Sequence, residues 1–217
     1  MEIKVLKNIM LANQQIADDN RKAFDEKGIT VVNIMASPGA GKTSTIIKVI
    51  DALKGKVGMG VIEGDIASSI DAEKVDALGI PVIQINTGGG CHLDANMIKT
   101  VMPDLNIDNN SIVFIENVGN LVCPSTFDLG ESIKMVIASV PEGHDKPFKY
   151  TSMFEAADVI ILNKTDLVPY IDFDKEMFYT GVQALSQKAV IIEISCKTGE
   201  GIDSLVEWLM KKHNKIG

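Results

Sequence analysis

Cysteine and histidine occur three times each and tryptophan once in 217 residues. Three cysteines cannot build a disulfide framework, so the chain reads as a protein of a reducing, cytoplasmic compartment. The opening Met-Glu-Ile-Lys lacks the basic-then-apolar layout of a secretion signal. The longest apolar segments, around residues 135–140 and 158–162, fall far short of the roughly 18 residues that span a bilayer, which excludes a membrane protein. A basic surplus is also missing: 29 acids against 21 bases leave a net charge of -8, which repels nucleic-acid phosphates. There is no Pro-, Ser- or Gly-rich linker and no repeat at a fixed period, so a single globular unit is expected. At 46% apolar and 23% charged, the remainder is the composition of an ordinary folded domain.

Ile3, Leu6, Ile9, Met10, Asn13, Ile16 and Ala17 recur at helical spacing ahead of Gly28. They predict a helical extension over residues 1–28, followed by the main domain over 29–217. Beyond it, β-rich runs lie at 29–36, 57–62, 80–85, 111–115, 134–140, 158–162 and 189–194. Several are almost continuously apolar, as strands buried on both faces of a parallel sheet are. Helical stretches at 44–54, 70–78, 93–102, 172–187 and 201–212 separate most of them. This alternation predicts an α/β fold with a doubly wound, mostly parallel seven-stranded sheet, its functional loops at the carboxyl ends of the strands.

The first strand runs into Ser37-Pro38-Gly39-Ala40-Gly41-Lys42-Thr43, with Ser44 opening the helix behind it. Strand, Gly-rich loop, Lys-Thr and helix together form a phosphate-binding P-loop, in which Ala36 replaces the usual first glycine. Glycines let backbone N–H groups curl around phosphate oxygens, and the helix N-terminus adds its positive end. Lys42 is expected to reach the β- and γ-phosphates, and the Thr43 hydroxyl to bind Mg²⁺.

About 120 residues later a strand delivers Asn163-Lys164-Thr165-Asp166, the N-K-x-D pattern of guanine-specific GTPases. The Asp166 carboxylate is expected to accept from guanine N1–H and the 2-amino group, a donor pair that adenine lacks. The next strand ends in Ser195-Cys196-Lys197, similar to the S-A-K loop that supports guanine O6, with Cys196 as a small filler. GTP and GDP therefore rank far above ATP. Asp65, at the end of the second strand, and Glu116, at the end of the fourth, are expected to hold Mg²⁺ and orient the attacking water, in either order. Gly119 is placed to donate its N–H to the γ-phosphate, so the segment after it would move on hydrolysis.

Cys91 and His92 are adjacent in a loop after the third strand, and Cys123 lies four residues past Gly119. Two thiolates and an imidazole suit Zn²⁺ or Ni²⁺, and three ligands per chain leave a position open for release or for sharing across a dimer. The other reading is three unrelated free residues. His144 and His213 are expected at the surface.

The segments 36–43, 61–65, 89–95, 114–124 and 162–170 resemble the HypB family, nickel-incorporation GTPases of [NiFe]-hydrogenase maturation, over about residues 29–212. The adjacent Cys91-His92 separates this family from the urease nickel GTPase UreG, whose motif is Cys-Pro-His. The resemblance implies a SIMIBI-like P-loop GTPase that forms a homodimer when GTP-bound and carries a nickel or zinc site of Cys91, His92 and Cys123 near the dimer interface. It also implies a HypA-type metallochaperone as partner and the hydrogenase large subunit precursor as recipient. No Cys or His precedes Cys91, so the N-terminal Cys-x-x-Cys-Gly-Cys or histidine-rich nickel sites of some members are missing. The N-terminal helix either docks on the domain edge or, as family behaviour favours, meets HypA. Two other functions stay open: a UreG-like chaperone for another metalloenzyme, and a metal-binding adaptor with vestigial GTP hydrolysis.

Overall fold

The computed structural model describes residues 2–65 and 69–216, with side chains from residue 9 onward. Seven aliphatic runs form strands β1 (Thr30–Ala36), β2 (Gly58–Asp65), β3 (Val82–Asn86), β4 (Ser111–Glu116), β5 (Ile133–Ser139), β6 (Val159–Asn163) and β7 (Val190–Glu193). They make one sheet in the order β3-β2-β4-β1-β5-β6-β7, and every pairing is parallel. Helices α1 (Glu2–Glu26), α2 (Lys42–Leu53), α3 (Ile70–Asp76), α4 (Ala95–Val101), α5 (Lys146–Lys149), α6 (Thr151–Ala156), α7 (Lys175–Leu185) and α8 (Ile202–Ile216) cover both faces. Among the described residues no helix is long and apolar enough to cross a membrane.

All seven strands lie where the apolar runs place them. The short helices α5 and α6 were not foreseen: four and six residues are too few to display a helical period. One face of the sheet packs Ile34 and Phe114 in a cluster with Ile46 of α2 and Leu205 of α8. The other carries two clusters, one with Phe154 and Phe178 from α6 and α7, the second with Phe24, Leu93 and Ile98 from α1, the loop before α4, and α4. Ala17, Asn20 and Phe24 of α1 are all buried at three- and four-residue spacing, so the second half of α1 shares the domain core. The side chains of Ile3 and Leu6 lie outside the described residues.

The insertion of β4 between β2 and β1 positions the site. It sets Glu116 opposite Ile34 of β1 on one side and opposite Glu63 of β2 on the other. The acid at the end of β4 therefore stands beside the loop that leaves β1.

His213 corrects the surface expectation. It lies on the Leu205-Leu209 stripe of α8, only 7% exposed, with Nδ1 2.8 Å from Thr30 Oγ1. The i, i+4, i+8 spacing carries it into the interface with β1. Burial holds its pKa below the ordinary value, although hydrogen bonding to Asn110 backbone opposes this. A histidine depressed in the folded state binds fewer protons than in the unfolded state. Stability is thus intact above the unfolded pKa of about 6.5 and declines as pH falls through and below it. Urea unfolding midpoints should drop between pH 7.5 and 5.5, and His213→Gln should flatten that drop. An identical pH slope in the variant would contradict the assignment.

Candidate nucleotide and metal site

The loop from β1 to α2 contains Gly41 at φ 104°, ψ 32°. A Cβ there would lie 2.3 Å from Asn163 Nδ2, so only glycine fits both the left-handed backbone and the neighbour. Ala36 is extended and buried as the last residue of β1, and its φ is not positive, so no glycine is needed there. Asn163 Nδ2 donates to Ala40 O at 3.0 Å and Lys164 Nζ to Gly39 O at 2.7 Å. The Asn163-Lys164-Thr165-Asp166 motif is thereby tied to the phosphate loop across 123 residues of chain. Ser37 Oγ donates to Glu142, whose other carboxylate oxygen accepts from the Ser139 N–H and hydroxyl.

An open cleft of about 560 Å³ runs along this seam, lined by Gly41, Ser44, Lys164, Asp166, Cys196 and Lys197 among others. That is ample for a nucleobase and sugar. Ser195 Oγ donates to Asp166 Oδ1 at 2.7 Å, which orients the carboxylate, and the Cys196 N–H reaches Asn163 Oδ1 at 3.5 Å. Burial pushes the Cys196 thiol up, and its sulfur sits 3.5 Å from Thr45 Oγ1, consistent with a neutral filler.

A second cleft of about 300 Å³ opens on the other side of the phosphate loop, bounded by Pro38, Lys42, Glu63, Asp65, Asp71, Glu116 and Gly119. Thr43 Oγ1 donates to Glu116 Oε1 at 3.0 Å, and Lys42 Nζ lies 3.8 Å from the same oxygen. Carboxylate oxygens of Glu63, Asp71 and Glu116 fall within 4.8 Å of one another. Burial first, then the charge of Glu116, drives the Glu63 pKa up to about 9, and burial also raises Glu116 against the pull of Lys42. Glu63 Oε2 and Glu116 Oε2 are buried without a hydrogen-bond partner among the described residues. Crowded carboxylate oxygens of this kind, two of them without a donor, fit a hard divalent cation.

Asp65 lines this cleft, but its carboxylate is not one of the clustered three. Its backbone carbonyl accepts from the Thr87 N–H at 2.9 Å and so anchors the start of the cysteine loop. Glu63 and Asp71 were missed by the sequence reading. The available signal was that Glu63 sits two residues before Asp65 and shares its strand face, but only the β2-β4 pairing brings it opposite Glu116. At Gly119 a Cβ would meet Pro38 Cγ at 2.9 Å and Pro38 N at 3.1 Å, so the loop after β4 rests directly on the phosphate loop.

That loop continues to Cys123, in a 3-10 turn over Cys123–Thr126. One ligand atom each from Cys91, His92 and Cys123 lies within 4.8 Å of the others. Tetrahedral bonds of about 2.0–2.3 Å would place them roughly 3.5–4 Å apart, so only a small closure is needed. Cys91 is exposed and Cys123 half-buried. The His92 ring stacks on Phe127 at 3.9 Å, and burial holds its pKa down, which favours the neutral imidazole that a metal requires. Hydrogen bonding to Cys123 raises the Cys91 thiol. Asn120 Nδ2 donates to Cys91 O at 3.3 Å. Fully buried Asn117 accepts at Oδ1 from both Leu93 N, 3.1 Å, and Val118 N, 3.0 Å, tying the His92 loop to the Gly119 loop. His144 is not in the cluster; it accepts from Asp174 N and packs on Phe173.

Residues 30–193 match the family model described as CobW/HypB/UreG, nucleotide-binding domain. The chain is 46% identical over 209 residues to the hydrogenase maturation factor HypB of Escherichia coli K12, covering 96% of this chain and 71% of that one. The solved HypB of Archaeoglobus fulgidus superposes with a TM-score of 0.86 at 38% identity, over 94% of this chain and 99% of its own. HypB from Helicobacter pylori, solved in complex with nickel, superposes at 0.87 with 34% identity, over 94% and 96%. With its phosphate loop, its Asn163-Lys164-Thr165-Asp166 motif and its clustered Cys and His residues all inside residues 30–193, the chain belongs to the HypB family of hydrogenase maturation factors.

Proposed function

We propose that the chain is a GTP-hydrolysing metallochaperone whose nucleotide state governs a nickel site at Cys91, His92 and Cys123. The observation that carries this reading is the short path between the two sites: Gly119 rests on Pro38 of the phosphate loop, and Cys123 follows four residues later on the same loop. Asn117 binds the same loop to the segment after His92. A phosphate that pulls Gly119 thus acts on both halves of the ligand set.

Guanine enters the larger cleft with Asp166 against its N1–H and amino group, while Asn163 and Lys164 hold the phosphate loop and Ser195, Cys196 and Lys197 close the far side. Backbone N–H groups of residues 39–44 face the phosphates, and Lys42 leaves Glu116 for the β- and γ-oxygens. Thr43 and Glu116, with Glu63 beside them, are the groups that would hold Mg²⁺, which when bound neutralises charge on the phosphate oxygens. Asp65 or Glu116 orients the attacking water, and loss of the γ-phosphate frees Gly119. In a reading supported by the nickel-bound relative, the cargo is Ni²⁺, with Zn²⁺ the competing ion for the same donors. The ion passes from a HypA-type metallochaperone to the hydrogenase large subunit precursor, with the GTP-bound form as a homodimer completing the coordination.

Sedimentation with GDP and with a non-hydrolysable GTP analogue, alongside a turnover assay, tests this. The expected result is slow GTP turnover and a monomer that dimerises with the analogue. A species indifferent to nucleotide and without turnover would favour the adaptor reading.

A further inference from the structure

The two loops that carry the proposed metal ligands are joined by α1 as well as by Asn117 and Asn120. Asn13 and Asn20 stand seven residues apart, two turns, on the same face. Asn13 Nδ2 donates to Asp128 O at 2.8 Å while its Oδ1 accepts from Ala95 N at 2.9 Å. Asn20 Nδ2 donates to both Ala95 O, 2.9 Å, and Leu129 O, 3.0 Å. Each amide therefore spans the same two backbone segments. One segment lies three residues beyond His92, where α4 begins, and the other five and six residues beyond Cys123, where the cysteine loop returns to β5. Arg21 Nη2 pairs with Asp128 Oδ2 at 2.6 Å, and Arg21 Nη1 donates to Glu131 O, fastening the second segment further. Phe127, on which His92 stacks, immediately precedes Asp128.

We propose that Asn13 and Asn20 are positioning residues of the metal site, with α1 acting as a strap that sets the separation between the Cys91-His92 loop and the Cys123 loop. This rests on reading Cys91, His92 and Cys123 as the metal ligands. A thiolate and an imidazole on separate loops bind one ion tightly only if the loops are held at the right spacing before the ion arrives. The asparagine bridges fix that spacing through backbone atoms. Loosening the strap lowers metal affinity without touching a ligand.

Asn13 is half-buried and the better probe, because Asn20 is almost fully buried and its loss risks the fold. Asn13→Ala would be titrated with Ni²⁺ alone in the 217-residue chain, following the thiolate-to-nickel charge-transfer absorption. GDP affinity and metal-free melting temperature would be measured beside it. Lys99→Ala, which breaks the exposed Lys99–Asp19 pair between α4 and α1 at 3.2 Å and touches neither ligand loop's backbone, serves as comparison. Expected for Asn13→Ala is nickel binding about tenfold weaker with GDP affinity unchanged and only the modest fall in melting temperature that two lost hydrogen bonds bring, whereas Lys99→Ala leaves all three near wild type. Wild-type nickel affinity in Asn13→Ala, with binding abolished in Cys123→Ala, would overturn the strap and leave the ligand set intact. Parallel losses of nickel affinity, GDP affinity and melting temperature would also overturn it, since a general packing role produces that pattern. Undiminished binding in Cys123→Ala would remove the ligand reading, and the strap with it.

Discussion

Asp166→Asn should weaken GTP binding at least about 100-fold and at the same time raise affinity for xanthosine triphosphate. The carboxylate accepts only, and guanine presents two adjacent donors to it. An amide offers one acceptor and one donor group, so one guanine donor meets another donor and both lose their partners inside a cleft. Unpaired groups of that kind cost about 1–3 kcal/mol each, and 1.4 kcal/mol is a factor of ten. Ser195 Oγ already donates to Asp166 Oδ1 at 2.7 Å, which would hold the amide oxygen and present the NH₂ toward the base. Xanthine carries an oxygen where guanine has the 2-amino group, so the mismatch becomes a match. Fluorescent-nucleotide competition measures both affinities, and a GTP affinity within threefold of wild type would show that Asp166 does not read the base.

Cys123→Ala should weaken Ni²⁺ binding by at least about 100-fold while leaving GDP affinity within twofold. One of the three donors of the proposed site is lost, and disturbing groups that merely support such ligands already costs about 10–100-fold. The contrast with nucleotide binding follows from position, since Cys123 lines neither the base cleft nor the phosphate cleft. Direct titration of both ligands on the same preparation checks the pair of outcomes. Loss of GDP affinity in parallel would mean that the substitution had disrupted the loop after β4 as a whole.

Much of the fold was legible because the strands are buried on both faces: residues 159–163 and 111–116 are wholly buried, and their sequences are correspondingly apolar. The Ser37–Thr43 and Asn163–Asp166 motifs were legible because each is written in consecutive residues. The rest depends on which strands are neighbours. Glu63 becomes part of the acidic cluster only because β4 inserts between β1 and β2, an order that no local pattern encodes. Asp71 joins it from the first turn of α3 by the same packing. The meeting of Cys91 and His92 with Cys123 was inferred from scarcity and loop placement, but the asparagines that brace it lie on α1, about 70 to 110 residues away in sequence. His213 was misread because a lone polar residue near the C-terminus suggests solvent, whereas its four-residue spacing from Leu209 marks the buried stripe of α8.

The central claim is that one loop serves two ligands, and it is tested most directly by titrating Ni²⁺ into the protein loaded with GDP and into the protein loaded with a non-hydrolysable GTP analogue. Because Gly119 rests on the phosphate loop and Cys123 follows it, the two nickel affinities should differ by tenfold or more, which corresponds to about 1.4 kcal/mol of coupling. By linkage, saturating nickel should then change the ratio of GTP-analogue to GDP affinity by the same factor. Equal nickel affinities in the two states would contradict the account, leaving a nucleotide site and a metal site that share a domain without communicating.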